Sequence, residues 1–182
     1  RESLNQEATQ VEGVIICVDI DGFGALNAAL GRTACDRILI QLAARLNDVV
    51  LERKGFVARL ADDTFVMTLI DASPEAALKL VTAALNEPMR AGRREVPMTC
   101  AVGVVPLVKT NQPETALADA EIAMQHAKRQ GRQQISFFDV TMRDQVARAF
   151  ELEEALRNAI SGEELTLLYQ PAISLQTGRA LS

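Results

Sequence analysis

Hydrophobic and polar positions alternate between two rhythms along this chain. Val14 to Val18 is an unbroken aliphatic run with Cys17 inside it, the pattern of a strand buried on both faces. It ends in Asp19-Ile20-Asp21-Gly22, two carboxylates two residues apart and a glycine that lets the chain turn. Ahead of it, Arg1 to Val11 reads as the end of a helix, with Leu4 and Ala8 spaced i, i+4. Behind it, Phe23 to Leu30 predicts a short helix closed by Gly31. Ala34 to Leu51 gives the clearest helix: Ile38, Leu39, Leu42, Ala43, Leu46, Val49 and Val50 form an apolar stripe, with Arg37, Gln41, Arg45 and Asp48 elsewhere.

The period then shortens. Phe56 to Ile70 predicts a β-hairpin turning at Ala61-Asp62-Asp63. Ser73-Pro74 opens a helix that runs to about Asn86, serine as N-cap and proline in the first turn. Glu95 to Leu107 contains a strand in which Gly103 marks a bulge or a close approach. Thr115 to Gly131 is an alanine-rich helix and Ile135 to Phe138 a short strand. The order β-α-α-β-β-α-β-α-β predicts an α/β (α+β) sandwich with a mixed sheet flanked by helices. Asp139 to Gln145 reads as a hinge and Val146 to Ile160 as a helix. Leu165 to Ser174 and the segment reaching Ser182 read as two strands joined at Gln176-Thr177-Gly178, the start of a second domain. The expected division is 1–139 and 140–182.

Composition narrows the function classes. At 182 residues, 48% hydrophobic and with a net charge of −5, the chain can bury a core and has no basic face for non-specific nucleic-acid binding. Three cysteines and no CxxC argue for reduced, buried thiols in a cytosolic compartment. No stretch approaches 18 apolar residues, so this segment is expected to make no membrane contact. Starting at Arg1 and stopping at Ser182 in mid-pattern, it reads as a piece of a longer protein, whose other regions leave room for a membrane anchor. The lone His126 reads as structural. A strand that delivers acids to a sheet edge is one way to hold Mg²⁺, which takes hard oxygen ligands; the alternative is an Asp-rich turn.

Several spacings agree with one family. Asp19-Ile20-Asp21-x-Phe23-x-x-x-Asn27, then Gly31 and Asp36, resembles the signature of GGDEF domains, the diguanylate cyclases and their degenerate relatives. Arg59-Leu60-Ala61-Asp62-Asp63-Thr64-Phe65 stands where that family carries R-x-G-G-D/E-E-F, and Ala127-Lys128-Arg129-Gln130-Gly131-Arg132 resembles its AKxxGRN helix end. Leu152-Glu153, Leu156-Arg157 and Leu168-Tyr169-Gln170-Pro171 resemble the opening of an EAL domain, a cyclic-di-GMP phosphodiesterase or receptor fold. The resemblance implies a nucleotidyl-cyclase-like fold. In active members two GTP molecules condense across a dimer, with metal ions bridging the phosphates.

Carried over by position, the resemblance implies metal ligation by Asp19, the Ile20 carbonyl and Asp63. It implies guanine recognition by Asn27 and Asp36 and phosphate contact by Lys128 and Arg132. The departures lie in the signature loop. Its glycines become Ala61 and Asp62 and its second acid Thr64, so that Asp62 adds bulk and charge beside a triphosphate and Thr64 accepts no proton. The lysine after the DxDxF phenylalanine is also gone, and Ala28 follows Asn27 where an acid is usual. Glu52 and Gly55 replace the inhibitory RxxD pair, so product inhibition there is expected to be absent. The expectation is a regulatory domain without cyclase activity that binds GTP weakly, with Mg²⁺, and tunes its own EAL domain. The rival readings are a dimerisation or docking scaffold binding no nucleotide, through a homodimer or a protein partner, and an active cyclase with an atypical loop.

Overall fold

A computed structural model describes residues 11–51, 53–108, 112–168, 170–173, 175–176 and 180–181. Strand β1 (Val11–Ile20) leads through Asp21-Gly22 into helix α1 (Phe23–Leu30), and α2 (Arg32–Leu51) follows. Strands β2 (Gly55–Ala61) and β3 (Thr64–Ile70) make the hairpin. Helix α3 (Pro74–Asn86), a small hairpin β4 (Met89–Ala91) and β5 (Arg94–Val96), β6 (Cys100–Val108), α4 (Pro113–Gln130) and β7 (Ile135–Phe137) complete the sandwich. The five-stranded sheet has the order β2-β3-β1-β6-β7, antiparallel except where β6 pairs with β7. The mixed α/β sandwich expected from the sequence is the fold observed.

The central strand explains the two-layer core. Val14, Ile16, Val18 and Ile20 pack on one face with Ile38, Leu42 and Leu46 of α2 and Val81 of α3. Ile15 and Cys17 pack on the other with Ala116, Ala120 and Met124 of α4. Alternate side chains of a strand serve opposite faces, so an all-apolar strand needs helices on both. Small residues bring α4 close. A Cβ on Gly103 would lie 2.3 Å from both the Ala120 carbonyl oxygen and the Met124 nitrogen, so Gly103 marks a close approach. All three cysteines are free and buried.

Local signals hold where the sequence states them. Gly31 closes α1 at φ +80°, and Ser73 Oγ accepts from the Ala76 N–H at 3.2 Å at the start of α3. Three expectations need correction. Glu95–Leu107 does contain a strand, β6 from Cys100, but Glu95 and Val96 belong to a β4–β5 hairpin that the sequence reading missed. It is pinned to α2, where the Gln41 amide donates to Arg90 O at 2.8 Å and accepts from Arg90 N at 2.9 Å. Arg45, off the apolar stripe as expected, donates to Glu87 O and Pro88 O and secures the end of α3. The expected hinge over Asp139–Gln145 is largely helical: α5 runs unbroken over Val140–Ser161, and Asp139 Oδ1 accepts from the Thr141 N–H at 2.9 Å. Finally, 165–168 is irregular, and the C-terminal ladder is only β8 (Ala172–Ile173) with β9 (Ala180–Leu181). The helical reading of Arg1–Val11 falls on residues outside those described, apart from Val11, which opens β1. Glu52 and Tyr169 also lie outside them.

The chain forms two compact units, 1–144 and 145–182. In the second, the α5 residues Phe150, Leu152, Leu156 and Ile160 are exposed, and Arg157 pairs with Glu153 one turn back. No described helix is long and apolar enough to cross a membrane.

Candidate functional site: an acidic sheet edge beside a cleft

The site lies where β1 ends. Pairing of β1 with β3 sets Asp19 opposite Thr64, and pairing with β6 sets it opposite Ala101. Register alone therefore brings the first acid of the DxD pair beside the signature loop, 45 residues later. Asp19 is 3% exposed. A carboxylate so buried must be compensated. Thr64 Oγ1 donates to its Oδ2 at 2.8 Å, and Lys128 Nζ stands 2.6 Å from its Oδ1. The lysine contact is an ion pair, since Oδ1 has no directed hydrogen bond. Lys128 reaches Asp19 from the last turn of α4, held against the sheet by the Gly103 approach.

The remaining acids differ from Asp19. Asp21 Oδ2 accepts from the Gln133 N–H at 2.8 Å, which ties the β1–α1 turn to the segment after α4. Asp63 is pushed above its ordinary value, first by burial and then by the charge of Asp19, with Lys128 pulling the other way. Asp62 is exposed, and its carbonyl accepts from the Arg59 guanidinium, at 3.0 Å from Nε. The thiols of Cys17 and Cys100 are pushed up to about 12 by burial and by nearby carboxylates, so they stay protonated at neutral pH. Among the described residues no group of three or more His, Cys, Asp or Glu side chains is placed to hold a metal ion. His126 Nδ1 lies 3.1 Å from Ser136 Oγ, a structural contact between α4 and β7.

A cleft of about 500 Å³ opens beside this edge, lined by Phe23, Asn27, Arg32, Asp36, Arg59, Asp62 and Asp63 among others. That volume suits a nucleotide-sized ligand. Asn27 Oδ1 is buried there and has no hydrogen-bond partner. The N-terminus of α1 has no side-chain cap, and Gly22, at φ +70°, lies under Arg132: a Cβ there would be 3.6 Å from Nη2.

The structure thus gathers Asn27, Asp36 and Asp63 at one cleft, joins Asp19 to Lys128, and sets Arg132 over the start of α1. Ile20 ends β1 with its side chain in the core. By type, Asp19, the Ile20 carbonyl and Asp63 are donors a Mg²⁺ ion accepts. In place, both Asp19 oxygens are already engaged from within the chain, so the set does not fit a divalent ion as it stands. Sequence reasoning missed two contributors. Thr64 was read only as a lost acid, whereas its hydroxyl donates to Asp19. Arg32 went unremarked, although it stands four residues before Asp36 on α2, the spacing that shares a helix face.

A central mixed sheet, an acidic β1–α1 turn at its edge and a hairpin loop beside a cleft define a nucleotidyl-cyclase-like sandwich. The family model described as diguanylate cyclase, GGDEF domain, matches residues 1–134, and the chain belongs to that family. It is 31% identical over 168 residues to the bifunctional diguanylate cyclase/cyclic di-GMP phosphodiesterase MucR of Pseudomonas aeruginosa, covering 90% of this chain and 24% of that protein. It is 29% identical over 164 residues to the cyclic di-GMP phosphodiesterase PdeR of Escherichia coli, covering 88% of this chain and 25% of that protein. The chain therefore spans about a quarter of the length of these relatives. The GGDEF domain of YfiN (TpbB) from Pseudomonas aeruginosa superposes with a TM-score of 0.66 at 28% identity, covering 75% of this chain and 83% of that one. An EAL/GGDEF protein from M. capsulatus gives 0.63 at 26%, over 73% and 88%.

Proposed function

We propose that residues 1–139 form a regulatory GGDEF module that binds GTP and does not make cyclic-di-GMP, and that 140–182 begin an EAL domain that it tunes. The observation that carries the binding is Asn27 Oδ1, buried at the cleft without a partner, on a wall shared with Asp36. A buried acceptor left unpaired costs about 1–3 kcal/mol, which a ligand donor recovers. The guanine edge offers N–H donors to such an amide oxygen and carboxylate. Arg132 and the uncapped start of α1 supply positive charge for phosphates.

The signature loop lacks what synthesis needs. Thr64 is committed to Asp19 and carries no charge, and Asp62 sets a carboxylate in the cleft wall where a triphosphate would lie. GGDEF domains use Mg²⁺ with GTP; here Asp19, the Ile20 carbonyl and Asp63 would have to hold it, and Asp19 is taken.

Calorimetric titration of GTP into this chain tests the reading, with a parallel assay for cyclic-di-GMP. Saturable binding is expected, weakened about tenfold by Asn27→Ala, the scale of one hydrogen bond. No product is expected. Cyclic-di-GMP formed from GTP would refute the regulatory reading. Absence of binding at millimolar GTP would leave a docking scaffold in its place.

A further inference from the structure

The cation at this site is built into the chain. Asp19 is 3% exposed, and everything that compensates it is internal: the Lys128 ammonium on Oδ1 and the Thr64 hydroxyl on Oδ2. Both halves of the arrangement are fixed by the fold. Thr64 is opposite Asp19 in the β1–β3 register, and Lys128 ends a helix whose approach Gly103 sets. The charge count decides what the site calls for. A carboxylate at position 64 would put two negative charges side by side and call for a divalent ion. A threonine there removes one of those charges and adds a donor, and the Lys128 ammonium stands on the carboxylate of Asp19. Of the neighbouring acids, Asp21 turns its Oδ2 to the Gln133 N–H and not to Lys128.

We infer that Lys128 is the resident cation of this site: its ammonium takes the place of a divalent metal beside Asp19, so the protein binds no metal there and takes its nucleotide without one. An ammonium has three donors. This one is about a third exposed, so donors remain for phosphate oxygens beside Asp19. Only the second half of the inference rests on the proposed GTP binding; the first concerns Asp19 alone.

Two measurements separate these halves. In the first, Mn²⁺ is titrated into the wild-type chain without nucleotide, and the free-ion signal is followed by electron paramagnetic resonance. No Mn²⁺ is expected to be withdrawn at concentrations comparable with the protein's. Thr64→Glu, which restores the second carboxylate, is expected to create a one-to-one Mn²⁺ site, and Lys128→Met to do so where circular dichroism shows it folded. Stoichiometric Mn²⁺ binding by the wild type would overturn the inference whatever the variants do. In the second, GTP is titrated in EDTA and again in Mg²⁺. The two affinities are expected to agree within about twofold, about 0.4 kcal/mol. A loss of tenfold or more in EDTA would overturn the metal-free mode. Absence of GTP binding in both buffers would refute the nucleotide reading and its metal-free mode together, with the Mn²⁺ titration still deciding the role of Lys128.

Discussion

Two buried carboxylates sit at helix α4, one in its first half and one against its last turn, and they are satisfied differently. Asp119, near its start, is 4% exposed and is held by Arg143 of α5, Nε to Oδ1 at 2.7 Å and Nη2 to Oδ2 at 2.6 Å. The same guanidinium stacks 5.3 Å from the centre of the Phe138 ring. Asp19 meets Lys128 near the other end of α4. One oxygen takes the ammonium and the other a hydroxyl from a different strand. An arginine fork matches both oxygens of one carboxylate and leaves nothing over. A lysine is a point charge with donors to spare. The first pair is complete and fastens the start of α5. The second leaves its ammonium about a third exposed, with donors beyond the contact to Asp19, which is what a binding site requires.

Both pairs depend on α4 lying close to the sheet, so the change with the largest expected effect strikes the approach itself. Gly103→Val would drive a side chain into backbone atoms of Ala120 and Met124, which cannot turn aside. A loss of about 3 kcal/mol or more in urea unfolding is expected, toward the upper end for overpacking. A Gly103→Val protein of wild-type stability would mean that α4 does not lie as close as this. Next comes Lys128→Met, which leaves Asp19 buried without its counter-charge. A loss of about 3 kcal/mol is expected, at the lower end for breaking a buried pair because Lys128 is itself about a third exposed. Adding Asp19→Asn should recover most of it, and a double-mutant cycle showing additive losses would deny the coupling. Smaller again is Arg143→Lys, which keeps the charge and loses the fork. Tm should fall by about 2–4 °C with GTP affinity unchanged, since Asp119 has no part in the cleft. A change in GTP affinity would erase the contrast between the two ends.

Much of this fold is legible residue by residue because its causes are local. An aliphatic run makes β1, Gly31 closes α1, and Ser73-Pro74 opens α3 where the sequence says so. What escapes is held by distant partners. The β4–β5 hairpin has three-residue strands whose anchor is Gln41, 49 positions from Arg90. The first turn of α5 falls in the segment read as a hinge, yet Met142 is buried and Arg143 reaches Asp119. The site divides in the same way. Residue types and spacings carry the family resemblance and the names of Asp19, Asn27, Asp36, Asp63, Lys128 and Arg132. That Asp19 is already answered by Thr64 and Lys128 depends on strand register and helix placement, which spacing along the chain does not express.

The smallest expected effect concerns the acid that neither pair answers. Asp63 is raised above its ordinary value of 3.8, by burial first and Asp19 second. The native state then holds that proton more tightly than the unfolded chain does. Between the unfolded value and the raised one the native state binds more protons, so this group's contribution to stability falls as pH climbs through that window and stays at its least favourable above it. Asp63→Asn removes the charge that burial penalises. It should stabilise the protein at neutral pH, and the gain should shrink toward zero as pH drops below about 3.8, where the unfolded carboxyl is also protonated. Asp139, lowered by its bonds from Thr141, contributes with the opposite sign and is common to both proteins, so it cancels in the difference. Unfolding midpoints of the two proteins across this range measure the difference directly. A gain independent of pH would assign the effect of Asp63→Asn to loop conformation. A loss at neutral pH would mean that the Asp63 carboxylate is answered by a positive charge, and the acidic edge would then need a cation besides Lys128.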